Sequence, residues 1–239
     1  MSEENEESEV ENNEQEETKR KVVVPGEKIV SGEDFLPGDN TRRDGKNILA
    51  SKFGLAEEKG RLVRVIPLSG VYIPRRGNIV IGKVIDLTFN GWIVDINAPY
   101  SGFLSLMEAP RFINKADIAS FLDIGDMVAC KVYSVKRKGI DLTLKSRGLG
   151  RLESGMLIKV NSNKVPRIIG REGSMIKIIK DATNCDIIVG QNGLIWIKGN
   201  SPEDEIKAKE TIMLIVSKPF ISGLTDKVKE FLQEKEEKW

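Results

Sequence analysis

The run Ile168-Ile169-Gly170-Arg171-Glu172-Gly173-Ser174-Met175-Ile176 has the residue types and spacing for binding an anion. Two glycines three positions apart let a backbone turn approach a sugar-phosphate chain, because no Cβ stands in the way. A helix that begins right after such a turn aims its free N–H groups at an anion. The local charge agrees: Lys159, Lys164, Arg167, Arg171, Lys177 and Lys180 stand against Glu172 and Asp181. Packing of two helices across the turn also accounts for the glycines, and Glu172 puts a negative charge inside it. Two more basic clusters, Arg75-Arg76 and Lys136-Arg137-Lys138, fall at loop positions, with Lys83, Arg111, Lys115 and Lys131 between them along the chain. Each is either a solvated charge or a phosphate contact, and loop placement raises the case for contact. Catalysis has less to draw on. The chain has no His, so an imidazole base, a Ser-His-Asp triad and a His metal ligand are all excluded. Asp86, Asp95 and Asp141 could hold Mg²⁺ if they converged, but each is a single Asp on its own predicted strand. No catalytic residue, metal site or cofactor is expected.

The elements that position these residues fall into blocks. Residues 1–18 hold nine Glu and no basic residue, and the other 221 residues carry a formal +10, which the overall +1 conceals. This tail buries too little apolar area to offset its chain entropy and reads as disordered. It serves either as a solubilising tail or as an acidic arm that competes with nucleic acid for the basic body. Residues 19–71 read as a small β-rich unit, with Val22-Val23-Val24 stopped by Pro25-Gly26 and a strand at Leu62–Pro67. Residues 72–147 read as an all-β module of five strands: Ile79–Phe89, Gly91–Asn97, Gly102–Leu106, Met127–Val135 and Ile140–Leu144. Alternation puts Trp92, Val94 and Ile96 on one apolar face, and turns Lys131 and Tyr133 away from Val128, Cys130 and Val132. Phe89 fits either face. Phe112–Phe121 reads as one short helix. Five such strands suit a small closed barrel.

Residues 148–155, GLGRLESG, read as a hinge. Residues 156–220 then run β-α-α-β-β-α, with helices at Val165–Ile169 and Ser174–Thr183 and a hairpin at Gly190-Gln191-Asn192-Gly193. The last helix of that block opens at Ser201-Pro202-Glu203-Asp204, with a capping Ser, Pro at the first helical position, then two acids. Residues 221–239 read as a C-terminal helix with Leu224, Val228, Phe231 and Leu232 in one stripe. The fold class is therefore multi-domain, mostly β plus α+β. Two Cys make no disulfide framework, no apolar run reaches the ~20 residues of a membrane span, and the acidic start is unlike a signal peptide. A cytoplasmic, membrane-free setting is expected.

The 168–176 run resembles the I-G-x-x-G-x-x-I core of KH domains, and its element order that of the first KH subtype. Gly82-Lys83-Val84-Ile85-Asp86, Asn90-Gly91-Trp92-Ile93-Val94, Gly102-Phe103-Leu104-Ser105 and Gly139-Ile140-Asp141-Leu142-Thr143-Leu144-Lys145-Ser146 resemble an S1 domain, an OB-fold barrel that binds RNA. The positions where that family stacks bases are Asn90, Ile93 and Ser105 here, none aromatic. Tyr133 beside Lys131 is the exposed stacking candidate. RNA binding is thus expected from charge, through Arg75, Arg76, Lys83, Arg111, Lys115, Lys131, Tyr133, Lys136, Arg137 and Lys138, with Gly170, Arg171, Gly173 and Lys177 in the KH turn. The order of small β unit, S1 and KH is similar to the S1/KH cap subunit of the RNA-degrading exosome, the ribosomal-RNA-processing protein four family, in a compact form that looks archaeal. Val24-Pro25-Gly26-Glu27, Pro37-Gly38-Asp39-Asn40-Thr41 and Tyr72-Ile73-Pro74-Arg75 look like that family too.

That resemblance implies a non-catalytic subunit. Three copies, or copies with a related cap protein, would sit on a ring of RNase-PH-like phosphorolytic subunits and feed single-stranded 3′ tails, A-rich by preference, into the pore. The N-terminal unit would anchor to the ring. A free-standing S1/KH protein of translation or RNA processing is the alternative.

Overall fold

The computed structural model describes residues 20–114, 117–137, 139–217 and 223–236. The acidic tail, Lys115 and Lys138 lie outside them. The chain divides after Leu68 into two units. The first is all β: β1 (Arg20–Val23), β2 (Lys28–Ser31), β3 (Leu36–Pro37), β4 (Thr41–Asp44), β5 (Asn47–Ala50), β6 (Gly54–Lys59) and β7 (Leu62–Pro67). They form two small sheets, β1-β6-β7-β3 and β2-β5-β4. Burial alternates along β7, with Val63 and Val65 inward and Leu62, Arg64 and Ile66 outward, as a half-buried strand requires. Val23, Ala50, Ala56 and Val65 make its core, with Ile29 packed against them. This core is small, as the size of the unit requires.

The second unit begins with β8 (Ile79–Thr88), β9 (Gly91–Asp95), β10 (Gly102–Ser105), a 3₁₀ turn at Leu106–Glu108, α1 (Ile118–Phe121), β11 (Met127–Lys136) and β12 (Gly139–Thr143). Strands β8, β9 and β10 form an antiparallel meander. Strand β10 then pairs in parallel with β12, β12 antiparallel with β11, and β11 with β8, which closes a five-stranded OB-like barrel. The barrel core includes Tyr72, Val80, Val84, Trp92, Val94, Leu104, Val128, Cys130, Ile140 and Leu142. Trp92 is fully buried; its indole N–H donates to the Leu122 carbonyl at 2.8 Å, and Phe121 lies tilted beside it at 5.6 Å. Phe89 faces solvent.

Two expectations are corrected here. Of the helix expected over Phe112–Phe121, the described residues form an α-helix at Ile118–Phe121, and Phe112–Asn114 are not helical. Ile113 packs into the barrel core while Phe112 and Asn114 on either side stay exposed, an alternation that a helix would not give. The run read as a Gly-rich hinge contains a strand, β13 (Gly150–Leu152), added to the Met127–Ala129 stretch of β11 and tied by Arg151 to Asp126 at 2.9 Å. Backbone pairing with an available strand edge outweighs the low strand propensity of glycine.

The chain continues through β14 (Met156–Lys159), α2 (Val165–Ile169), α3 (Ser174–Thr183), β15 (Asp186–Val189), β16 (Leu194–Lys198), α4 (Pro202–Ser217) and α5 (Leu224–Glu236). The sheet order is β14-β16-β15, antiparallel throughout, with the helices packed over it. Helix α5 packs on α3 and α4 through Leu224, Val228 and Leu232. Cys130 and Cys185 are buried free thiols, both pushed up in pKa by burial. Among the described residues no helix is long and apolar enough to cross a membrane.

The β15–β16 turn joins this half to the barrel. Gln191 donates its backbone N–H to the Ile79 carbonyl at 2.8 Å and accepts the Ile79 N–H at 2.5 Å. Lys159 Nζ donates to Asn97 Oδ1 at 3.0 Å.

Candidate nucleic-acid interface

Helix α2 ends at Gly170, whose φ of 76° lies in the region glycine favours. A Cβ there would meet Met175 Cβ and N at 2.7 Å, so both conformation and space demand glycine. Glu172 takes φ 52° in the turn, and Gly173 takes φ 80° just before α3. No side chain caps the start of α3, the Ser174 N–H there is donated to the Arg171 carbonyl, and Arg171 and Lys177 are both exposed. Gly170, Arg171, Gly173 and Lys177 thus gather at one turn. Lys164 and Lys159 have other uses. Lys164 Nζ donates to the Val216 carbonyl at 2.9 Å, and Lys159 serves the joint with the barrel.

On the barrel, Arg76, Lys131 and Tyr133 line one pocket of about 490 Å³, with Gly77, Glu108, Thr143, Lys145 and Ser146. Its construction is local. The Arg75–Asn78 turn is stitched to β11, with the Gly77 N–H donating to the Val132 carbonyl and the Val132 N–H to the Asn78 carbonyl, both at 2.8 Å. Tyr72, in the core, donates its hydroxyl to Asn78 Oδ1 at 2.8 Å, and burial pushes its pKa up to about 12. Strand β11 shifts register between Val132 and Ser134, so Tyr133 sits on a bulge, a feature that re-aims a side chain. The Arg76 guanidinium lies over the Tyr133 ring at 5.9 Å. Three cations, Arg76, Lys131 and Lys145, line this pocket together with one carboxylate, Glu108, which Lys145 approaches to 3.4 Å.

Among the described residues, the other expected cations do not line this pocket. Lys83 is four residues along β8 from Ile79, the partner of Lys131, or about 13 Å away. It stands opposite Asp95. Arg111 lies over the Phe121 ring at 5.7 Å. Lys136 is paired with Asp141 at 2.6 Å. Arg75 and Arg137 are exposed on their turns. Asp86, Asp95 and Asp141 are not gathered; among the described residues no three His, Cys, Asp or Glu stand where they could hold a metal ion.

A family model of the KH domain matches residues 155–203. The chain is 44% identical over 214 residues to the exosome complex component Rrp4 of Methanothermus fervidus, an alignment covering 89% of this chain and 95% of that protein. The chain belongs to the Rrp4 family of exosome components. Identity to the Thermococcus kodakarensis Rrp4 is 42% over 219 residues, covering 89% of this chain and 85% of that protein. The Methanobrevibacter smithii Rrp4 is 41% identical over 209 residues, 87% of this chain and 69% of that one. A solved crystal structure described as an exosome complex RNA-binding protein superposes with a TM-score of 0.62 at 34% identity, covering 70% of this chain and 98% of that one. Sequence reasoning missed Lys145 in this Rrp4-family chain. Its signal was available in Leu144-Lys145-Ser146, where Leu144 points inward and the next residue must point out.

Proposed function

We propose that the chain is a non-catalytic RNA-binding subunit of an exosome, a cap that captures single-stranded 3′ tails and threads them into the pore of a phosphorolytic ring. The observation that carries this reading is the meeting of Arg76, Lys131 and Tyr133 at one barrel pocket in a chain of the Rrp4 family. Charge draws the backbone in, and an exposed ring beside it offers a base a stacking partner. The KH turn at Gly170–Gly173 contributes a second, weaker contact, because Glu172 opposes phosphate there.

Three copies, or copies mixed with a related cap protein, surround the pore, and weak contacts repeated threefold gain avidity. The S1-like loops face the RNA path, A-rich tails are preferred, and the setting is cytoplasmic. Docking to RNase-PH-like ring subunits is assigned to the N-terminal unit. Supporting that assignment, Val22, Leu55 and Ile66 form one row across β1, β6 and β7, and Val22 and Ile66 are exposed. An apolar row left in solvent is the mark of a protein interface.

Reconstitution tests the proposal. The chain is mixed with RNase-PH-like subunits of the same source, and complex mass and phosphate-dependent RNA decay are measured. Expected are three copies per ring and faster decay than by the ring alone. A chain that stays monomeric beside the ring, or RNA turnover that follows the isolated chain through purification, overturns it.

A further inference from the structure

Among the described residues lining the basic pocket, Glu108 alone is acidic, against Arg76, Lys131 and Lys145. The backbone fixes its place. Glu108 ends the Leu106–Glu108 turn, its carbonyl accepts the Leu144 N–H at 3.0 Å, and Ala109 after it is buried. Lys145 is set by the same strand end. Its N–H donates to Thr143 Oγ1 at 3.1 Å, and Thr143 stands opposite Lys131 across β11 and β12. Lys145 Nζ reaches Glu108 Oε1 at 3.4 Å, with the lysine side chain 56% exposed and the glutamate 26%. So long and open a pair adds little to stability, and the fold does not need the carboxylate for it. One lysine also leaves acceptor sites open on a carboxylate, which offers roughly four.

A pocket for phosphate alone is weakened by a carboxylate, which repels each phosphate that enters. A donor on the ligand removes that conflict. The phosphates and ring oxygens of a sugar-phosphate chain only accept hydrogen bonds. Its one donor is the ribose 2′-OH, beside the 3′ phosphate on the same sugar, and DNA lacks it. We infer that Glu108 accepts the 2′-OH of one RNA nucleotide while Lys131 and Lys145 hold the adjoining phosphate, so that this pocket selects RNA over DNA. The closeness of Lys145 and Glu108, at 3.4 Å, matches the closeness of phosphate and hydroxyl on one sugar. The selection acts on the sugar and is independent of the base. This inference rests on the proposed RNA-binding function.

The test uses the full chain and three fluorescein-labelled single strands of equal length: oligoadenylate, its 2′-deoxy form and its 2′-O-methyl form. The three share a base and differ only at the 2′ position. Fluorescence anisotropy at low salt gives the affinities. The wild-type chain binds the 2′-OH strand about tenfold more tightly than the other two, the gain from a hydrogen bond to a charged group. Glu108→Ala binds all three more tightly, because a negative charge is gone, and brings their ratio close to one. Glu108→Gln, which keeps an acceptor oxygen, retains a several-fold preference. Lys131→Ala weakens all three alike and keeps the ratio. Circular dichroism shows the Glu108 variants folded, since the bond to Leu144 runs through the main chain. If Glu108→Ala keeps the wild-type ratio, or the wild-type chain binds the three strands alike, the inference falls while the RNA-binding reading stands. If the wild-type chain fails to bind oligoadenylate at low salt, both fall.

Discussion

The side-chain amide of Asn192 is hydrogen-bonded at both ends to the main chain of Ile81, 111 residues away in the sequence. Its Nδ2 donates to the Ile81 carbonyl at 2.6 Å, and its Oδ1 accepts the Ile81 N–H at 3.3 Å. The same Nδ2 donates to the Ile96 carbonyl at 2.9 Å, and Asn192 is 1% exposed. One turn of the KH half thereby closes like a short strand on the edge of the barrel.

Removing that amide leaves buried backbone groups of Ile81 and Ile96 without partners. Asn192→Ala is expected to cost about 2 kcal/mol in urea unfolding and to speed hydrogen exchange at the Ile81 amide. Gly190→Ala is expected to act the same way, because its Cβ would come within 2.3 Å of Asn192 Oδ1. An unchanged unfolding midpoint in both variants would show that the joint carries no stability.

The KH turn separates two glycines of similar φ. Gly170→Ala meets both a left-handed backbone and a collision with Met175, whereas Gly173→Ala meets the left-handed backbone and only an ordinary contact with Ile176 Cγ2 at 4.0 Å. The first is expected to lose about 3 kcal/mol and the second about 1 kcal/mol. Glu172→Gly relieves the left-handed backbone at that position and is expected to gain roughly 0.5 kcal/mol, with tighter RNA binding through loss of a negative charge. Denaturation midpoints rank the three, and equal losses at the two glycines would contradict the geometry.

Salt dependence separates contacts from surface charge. Arg76→Ala and Lys131→Ala are each expected to lower the slope of log affinity against log salt by about 1. Lys136→Ala should change it little, because Asp141 already holds that ammonium at 2.6 Å. Fluorescence anisotropy at a series of salt concentrations gives the slopes; a larger loss at Lys136 than at Lys131 would place the RNA path elsewhere.

Tyr72 gives an alkaline limit. Its pKa is raised from 10.0 to about 12 because burial disfavours the phenolate. A group raised on folding contributes stability that is complete below its unfolded pKa and is lost as pH rises through the folded one. Stability should therefore fall between pH 10 and about 12, and Tyr72→Phe should flatten that fall. The variant should also lose about 1 kcal/mol at neutral pH with the hydrogen bond to Asn78. Equal alkaline falls in the two proteins would rule Tyr72 out as their source.

Much of the site's scaffold was legible. Period-two alternation put Trp92, Val94 and Ile96 inward and Lys131 and Tyr133 outward, and the structure places all five so. The glycine spacing marked the Gly170–Gly173 turn, and Asn192-Gly193 marked a hairpin. The convergence of Arg76 with Lys131, Tyr133 and Lys145 was not legible, since it depends on the Arg75–Asn78 turn bonding to β11 and on a bulge at Tyr133.

By itself, then, the sequence determined most of the barrel strands and the helices and strands of the KH half, which side of each is apolar, and where glycine must turn the chain. These follow from side-chain period and local backbone sterics, which act over a few residues. Only the tertiary structure decided that Asn192 fastens to Ile81, that Asp141 takes Lys136, that Gly150–Leu152 adds a strand to the barrel edge, and that Glu108 and Lys145 line one pocket. Those are pairings between residues up to 111 apart in the chain. Hydrogen bonding and burial select them only when the barrel has closed, and no local pattern records them.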